Sequence, residues 1–423
     1  MTPAEFSELR YGMFIHFGLF SKLARGEWVM NREQIPIAEM KKVAAEFNPV
    51  RFDADEICQL AVDGGMKYIV FTTMHHEGFR MYETALSEFN SVKCCHRDFT
   101  KEIIASAKRH GLKIGLYHSL NNWYDSPDAV DALENKAKYE LFIEHTFARL
   151  KELVIRFNPV DVLWYDGWWP FHYDGWQAER MNRELREIQP HLLFNGRNGL
   201  AGDFGTPEQH LTAPVPWRPW EACMTLNNHW GYHCSDNNWK TPIDVINMLL
   251  TCSTGRGNLL LNIGPRGDGS IPERSAEIVL TVGKWIKDEG GQELLVGTDK
   301  LSFSPTIPDP ADRGDWDLQG KFAASGNNLY MVLEYNPGRQ YTFCGLNSKV
   351  QSVTACGKTL LSFTQNNDKI TVELPKFLEN MCAPVLKFAC DRKPAVYRSG
   401  GMRIPKCEHL RYDPKEPDIQ YEK

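Results

Sequence analysis

Short apolar runs alternate with amphipathic stretches along the first two-thirds of the chain, and this alternation narrows the choice of fold more than any other feature. The expected strands are 13–17, 68–72, 114–118, 162–165, 192–195, 223–226 and 259–263. Between them apolar residues return at helical spacing in 53–63, 100–109, 138–156, 176–188, 242–252 and 273–288. In the first of these Ile57, Leu60 and Ala61 share a face, and Gly64-Gly65 ends the run. Strand and helix in repetition imply βα units and a parallel sheet. Seven or eight units in about 290 residues fit a (β/α)8 TIM-like barrel better than an open doubly wound sheet, since no G-x-G-x-x-G follows the first strand.

From about residue 294 the pattern changes to apolar–polar alternation between turn signals, as in "NNLYMVLEYN", "YTFCGL" and "DKITVELP", the mark of antiparallel strands. At 423 residues the chain also exceeds what a single core usually holds. The expected division is a barrel over 1–292, a small antiparallel β-sandwich over 293–391, and an extended arm over 392–423, where Pro and charge replace apolar residues.

Charge narrows the partners. Lys plus Arg number 48 against 54 Asp plus Glu, a net −6, so no basic surplus attracts nucleic acid or an anionic membrane. No run approaches the roughly 18 apolar residues of a membrane span, and Glu5 and Glu8 stand where an export signal needs basic and apolar residues. A cytoplasmic location is the expectation. The 11 cysteines show no repeating spacing and no CxxC pair. They read as reduced thiols packed in strands and helices, as at Cys58, Cys223, Cys252 and Cys344, with no zinc motif.

In a barrel the C-terminal ends of the strands form the functional face, so the residues just after each strand carry the argument. They are His16 after the first strand, His75 and His76 after the second, and Tyr117, His118 and Trp123 at the third. Trp164 and Asp166 close the fourth; Asn195 and Arg197 follow the fifth, and then comes "GDFGTPEQH" with Asp203, Glu208 and His210. Capping or hydrogen bonding accounts for any one of these, but packing does not explain five consecutive strands ending this way. "VLWYDGWW" is the sharpest case. An acid beside so much aromatic surface loses hydration and must recover it through hydrogen bonds, a partner charge or use in chemistry. Ten of the 12 tryptophans precede residue 240, several in loop-like sequence, where aromatic rings suit the apolar faces of sugars.

Three reaction classes could use such a set. Metal-assisted hydrolysis would draw on the histidines, although no H-x-H or H-E-x-x-H spacing is present. Hydrolysis by Ser or Cys wants a nucleophile on a sharp turn, and no G-x-S-x-G occurs. Glycoside hydrolysis wants two carboxylic groups on different loops in an aromatic pocket, which Asp166 and Glu208 satisfy.

The stretches "YGMFIHFG", "GEWVM", "YIVFTTMHHEGF", "SEFNSV", "GLYHSLNNW", "VLWYDG" and "GNLLLNIGPRGDG", in this order, resemble the α-L-fucosidases of glycoside hydrolase family 29. The resemblance spans about residues 10–290; beyond it the likeness is one of class only. It implies a retaining exo-glycosidase acting on terminal α-L-fucosyl linkages of oligosaccharides or small glycosides, or on a related L-sugar such as an α-L-galactoside, with no metal or organic cofactor. A metal-dependent barrel hydrolase and a non-catalytic sugar-binding protein are the rivals, and nothing decides for or against a homo-oligomer.

By motif match, Asp166 corresponds to the family's nucleophile. His16, Glu27, Trp28, His75, His76, Tyr117, Trp164 and Arg197 correspond to residues that hold the sugar's hydroxyls and ring, and Trp230 in "NHWGYH" to an aromatic near it. The family's branches place the proton donor differently; the loop "GDFGTPEQH" resembles the branch that carries it there, which selects Glu208. Glu221, in "PWEACMTLN", is the alternative acid/base, but it opens the sixth strand, so its side chain should tend toward the barrel bottom. The donor should have a raised pKa and should face Asp166 across roughly 5 Å. The loops "NNWYDSPDAVDALENK" and "WWPFHYDGW" are expected to set leaving-group preference.

Overall fold

The computed structural model describes residues 1–295, 299–300 and 319–394. The chain divides into two compact units, Met1–Gly297 and Thr298–Lys423. Of the arm expected over 392–423, all but 392–394 lies outside the described residues.

All seven expected strands of the first unit form: β1 (Tyr11–Ile15), β2 (Tyr68–Met74), β3 (Lys113–Ser119), β4 (Val162–Asp166), β5 (Leu193–Phe194), β6 (Glu221–Thr225) and β7 (Asn258–Ile263). They make one parallel sheet in the order β5-β4-β3-β2-β1-β7-β6, so chain neighbours are also sheet neighbours except β5 and β6, and β7 pairs with β1. The edge strands β5 and β6 share no ladder. The segment 203–209 threads between them instead, with Asp203 N–H donating to Phe194 O (2.8 Å), Cys223 N–H to Pro207 O (3.0 Å) and Gln209 N–H to Cys223 O (3.0 Å). It occupies the eighth place and closes the curled sheet, and it carries Glu208.

The strands are buried along nearly their whole length, as expected where side chains face either the barrel interior or the helix layer. Phe14, Tyr68, Val70, Tyr117, Val162, Trp164, Cys223 and Leu260 form one interior cluster. Outside run the helices Ala54–Asp63, Phe99–Arg109, Lys136–Arg156, Ala178–Ile188, Pro242–Thr254 and Glu273–Asp288. Their starts follow from local chemistry. The Asp53 carboxylate accepts from the N–H groups of Asp55 and Glu56, and Thr241 with Asp244 forms a capping box behind Pro242. Gly283 is required because a Cβ there would collide with the carbonyl of Asp63 where two of these helices meet.

The second unit holds two antiparallel sheets. One contains Gly320–Ser325, Asn328–Leu333, Val350–Ala355, Thr359–Leu361 and Val385–Cys390, with Asp299–Lys300 at its edge; the other contains Gln340–Phe343, Phe363–Asn366 and Lys369–Glu373. Leu329, Met331, Val353 and Phe388 of the first share a core with Tyr341, Ile370 and Val372 of the second, which makes the unit a sandwich.

Two local expectations change. Cys344 is exposed instead of packed, while Cys58, Cys223 and Cys252 are buried. His118 points away from the barrel interior because side chains alternate along a strand: Tyr117 faces inward, and His118 bonds Thr73 Oγ1 at 3.1 Å.

Candidate active site

Alternation along the strands builds a pocket at their C-terminal ends. Phe14 and His16 come from β1 and the residue after it, Tyr117 from β3, and Trp164 and Asp166 from β4. His75 and His76 both reach inward because the β2–β3 register shifts between Thr72 and Met74 and the chain leaves the strand there. The enclosed volume is about 180 Å³, small beside the roughly 300–1,000 Å³ of drug-sized pockets and suited to a single ring. Phe14, Tyr117 and Trp164 make its buried aromatic end, each 1% exposed. Tyr117 lies 5.7 Å from Trp164 with the rings 23° apart.

Asp166 ends β4 within this wall. Its Oδ2 accepts from the Tyr117 hydroxyl at 2.8 Å and lies 3.6 Å from His76 Nε2, and its Oδ1 accepts from Arg197 Nη1 at 3.1 Å. Burial opposes its charge, but Arg197, His76, the Tyr117 hydroxyl and the Gly167 N–H outweigh it and hold the carboxyl below its ordinary range. Asp166 is therefore ionised at neutral pH.

Arg197 connects the two carboxylates. It lies over the Trp164 ring at 4.7 Å, its Nε donates to Thr206 Oγ1 at 3.2 Å, and its Nη2 donates to Glu208 Oε2 at 2.6 Å. Thr206 and Glu208 both lie on the closing segment, so the backbone bonds that complete the barrel also position the second acid. One guanidinium thus touches Asp166 with one nitrogen and Glu208 with another. Burial works against its charge, yet Asp166 and Glu208 raise its pKa further above the usual range.

The histidines are fixed from behind. Asn262 donates from Nδ2 to Trp230 O (2.7 Å), which leaves its Oδ1 to accept from His16 Nδ1 at 2.6 Å. Nε2 of His16 is then an acceptor. Burial draws the pKa of His16 down to about 3, so the ring is neutral. Ser119 Oγ donates to Asn121 O and so accepts from His76 Nδ1 at 2.7 Å. His75 stacks on Tyr117 at 5.3 Å and 7° with its Nδ1 3.9 Å from Glu77 Oε2. Burial pushes the Glu77 carboxyl up to about 8 and the His75 ring well below its usual value.

Comparison with known proteins adds the decisive observation: the family described as Alpha-L-fucosidase matches residues 1–291. The chain belongs to the α-L-fucosidase family. Tissue alpha-L-fucosidase of Rattus norvegicus is 30% identical over 321 residues, covering 68% of this chain and 69% of that one. The structure of alpha-L-fucosidase isoenzyme 1 from Paenibacillus thiaminolyticus superposes with a TM-score of 0.78 at 29% identity, covering 92% of this chain and all of that one. A GH29 alpha-L-fucosidase from Bacteroides thetaiotaomicron, trapped as a covalent intermediate with 2-fluoro-fucosyl fluoride, superposes at 0.76 and 25% identity, covering 92% and 96% of the two chains. The protein is accordingly a glycoside hydrolase built as a TIM-like barrel with a β-sandwich.

Within this α-L-fucosidase family member, His16, Trp28, His75, His76, Tyr117, Trp164, Asp166, Arg197, Glu208 and Trp230 line one pocket. Of the residues assigned through the family resemblance, Glu27 and Glu221 stand outside it. Glu27 is buried one layer back, accepting from Gly231 N–H at 2.8 Å beside Trp230. Glu221 lies deeper in the barrel, at the start of β6, where Tyr68 Oη donates to its Oε2 at 2.5 Å and Trp164 Nε1 to its Oε1 at 2.9 Å. Burial raises its pKa to about 7. That is a proton donor's pKa, but both oxygens are engaged below the Trp164 ring.

Asn195 stitches β4 to β5 through both backbone groups of Tyr165, Asp203 pairs with Arg186, and His210 is exposed. Position at a strand end does not by itself reveal Phe14, Trp169 and Cys223 in the wall or Asn262, Ser119, Thr206 and Glu77 behind it. Period two from His16 reaches Phe14, and a lone polar residue in "NLLLNI" marks Asn262. No such signal singles out Thr206.

Proposed function

We propose that this protein removes terminal α-L-fucose from oligosaccharides or small glycosides by double displacement, with Asp166 as nucleophile and Glu208 as proton donor. The observation that carries this reading is Arg197 holding both carboxylates at one pocket: Asp166 buried and ionised, Glu208 at the rim. In the first half, an Asp166 oxygen attacks the anomeric carbon as the bond to the leaving oxygen breaks. That oxygen keeps the electron pair and takes the proton of Glu208. In the second half, Glu208 takes a proton from a water molecule, whose oxygen attacks the same carbon and releases Asp166. Two inversions restore the starting configuration.

The remaining groups fit these steps. Positive charge develops on the sugar ring in the transition state, and a buried Asp166 carboxylate stabilises it most strongly where water is excluded. His16 offers Nε2 as an acceptor for a sugar hydroxyl, and the Phe14, Tyr117 and Trp164 rings suit an apolar edge of the sugar such as a methyl group. A hydrophobic pocket rejects an added hydroxyl only weakly, so slower turnover of the α-L-galactoside is expected.

A panel of nitrophenyl glycosides tests the reading. The α-L-fucoside should be hydrolysed fastest, with or without a chelator. Absence of fucoside hydrolysis, or activity abolished by chelation and restored by a divalent metal, would contradict it.

A further inference from the structure

The pocket wall is uneven in exposure, and the unevenness has a direction. Phe14, Tyr117 and Trp164 are 1% exposed, whereas the side chain of Glu208 is 40% exposed and Trp169 is 41% exposed. Glu208 and Trp169 are the most exposed residues of the pocket wall, so a sugar that fills the buried end directs its leaving group toward them. Glu208 is the group that must protonate the leaving oxygen. Trp169 is the surface the leaving group then meets.

Trp169 is held in place by its surroundings. Its ring lies 6.0 Å from that of Trp28 at 18° and edge-on to His76 at 5.3 Å. Trp123 completes the set, 5.2 Å from Trp28 and 5.6 Å from His76. Three loops, those after β1, β3 and β4, thus contribute one tryptophan each to the same rim. Their backbones are braced: Trp123 N–H donates to His76 O at 2.7 Å, and Trp176 Nε1 donates to Trp168 O. Gly167 turns the chain at φ 66° directly after Asp166. Exposing so much indole in a braced loop forgoes burial that packing would otherwise gain, which calls for a ligand to cover it.

We propose that Trp169, backed by Trp28 and Trp123, forms a leaving-group subsite that takes the flat apolar face of a ring attached to the fucosyl oxygen. The reading rests on the fucosidase assignment above and adds the class of leaving group: cyclic, with a C–H or aryl face free to stack. A neighbouring pyranose and an aryl group share that chemistry, and their different polar edges allow them to be told apart.

The test compares wild type, Trp169→Ala and Trp169→Phe on three substrates: an α-L-fucosyl hexose disaccharide, nitrophenyl α-L-fucoside, and α-L-fucosyl fluoride, whose leaving group is too small to reach the rim. In Trp169→Ala, kcat/KM for a ring substrate divided by that for the fluoride should fall roughly tenfold, on the order of one aromatic contact. Trp169→Phe should recover most of it. A fall with the disaccharide identifies a sugar as the ring; a fall with the nitrophenyl substrate alone identifies an aryl group. An unchanged ratio for both ring substrates would overturn the subsite, as would a parallel loss on all three. If wild type left the fluoride intact, the fucosidase reading itself would fall, and the subsite with it.

Discussion

The Tyr117 hydroxyl donates to Asp166 Oδ2 at 2.8 Å, a bond between the upper ends of two neighbouring strands whose register pairs Tyr117 with Trp164 and Ser119 with Asp166. Removing it should show in the pH profile. In the proposed reaction Asp166 acts ionised, and the Tyr117 hydroxyl is one of the groups that lower its pKa. Tyr117→Phe keeps the ring stack but loses the donor, so the pKa of Asp166 should rise and the acidic limb of kcat/KM should move to higher pH. A limb that stays in place or moves to lower pH would separate Tyr117 from the ionisation of Asp166.

Glu208 and Glu221 separate by leaving-group dependence. Glu208→Ala should slow the first displacement of poor leaving groups by about 10²–10⁴-fold, whereas activated glycosides should stall at the glycosyl-enzyme and recover with azide, which attacks it without needing a base. Glu221→Gln should show neither the leaving-group dependence nor azide rescue. The reverse pattern would transfer the acid/base role to Glu221.

Glu221 also predicts a dependence of stability on pH. Its folded pKa, about 7 through burial, lies above the ordinary 4.5 of a glutamate carboxyl, so the folded state binds the proton more tightly than the unfolded one. Its contribution to stability is full below about 4.5 and declines as pH rises through about 7. Glu221→Gln cannot titrate and strands one of the two donors from Tyr68 and Trp164, at a cost of about 1–3 kcal/mol. The variant should melt below wild type in acid, and the gap should narrow as pH rises through neutrality. A gap that widens instead would contradict the raised pKa.

Gly167→Ala should fail for a reason of backbone geometry. Its φ of 66° belongs to the left-handed region, and an added Cβ would lie 2.5 Å from Ser119 Oγ, the group that accepts from His76. The expected outcome is a loss of about 1–2 kcal/mol in stability with a larger fall in kcat, measured by melting and steady-state kinetics. Unaltered kinetics would mean that the turn after Asp166 tolerates a side chain.

Much of this was legible in the sequence because it rests on periodicity. Apolar runs marked all seven barrel strands, and strand ends marked most of the pocket, since a barrel gathers them on one face. The same period applied within 114–118 would have turned His118 outward beside an inward Tyr117. The closing segment 203–209 was not legible as a barrel element: it contains Gly and Pro and shows no alternation, and its backbone bonds to Phe194 and Cys223 are set by the gap between β5 and β6. Glu77 and Asn262 act through other side chains, so their roles depend on distances that no local pattern encodes. Trp169 was visible only as part of an aromatic loop, because its approach to Trp28 joins loops from different strands.

The central claim is that Asp166 attacks the sugar. Incubation with 2-fluoro-L-fucosyl fluoride, followed by proteolysis and peptide mass spectrometry, tests it most directly, because the fluorine slows the second displacement and lets the ester accumulate. Stoichiometric label on Asp166, and none in Asp166→Gly, is the expected result. Label on another carboxylate, or rapid turnover by Asp166→Gly, would contradict it.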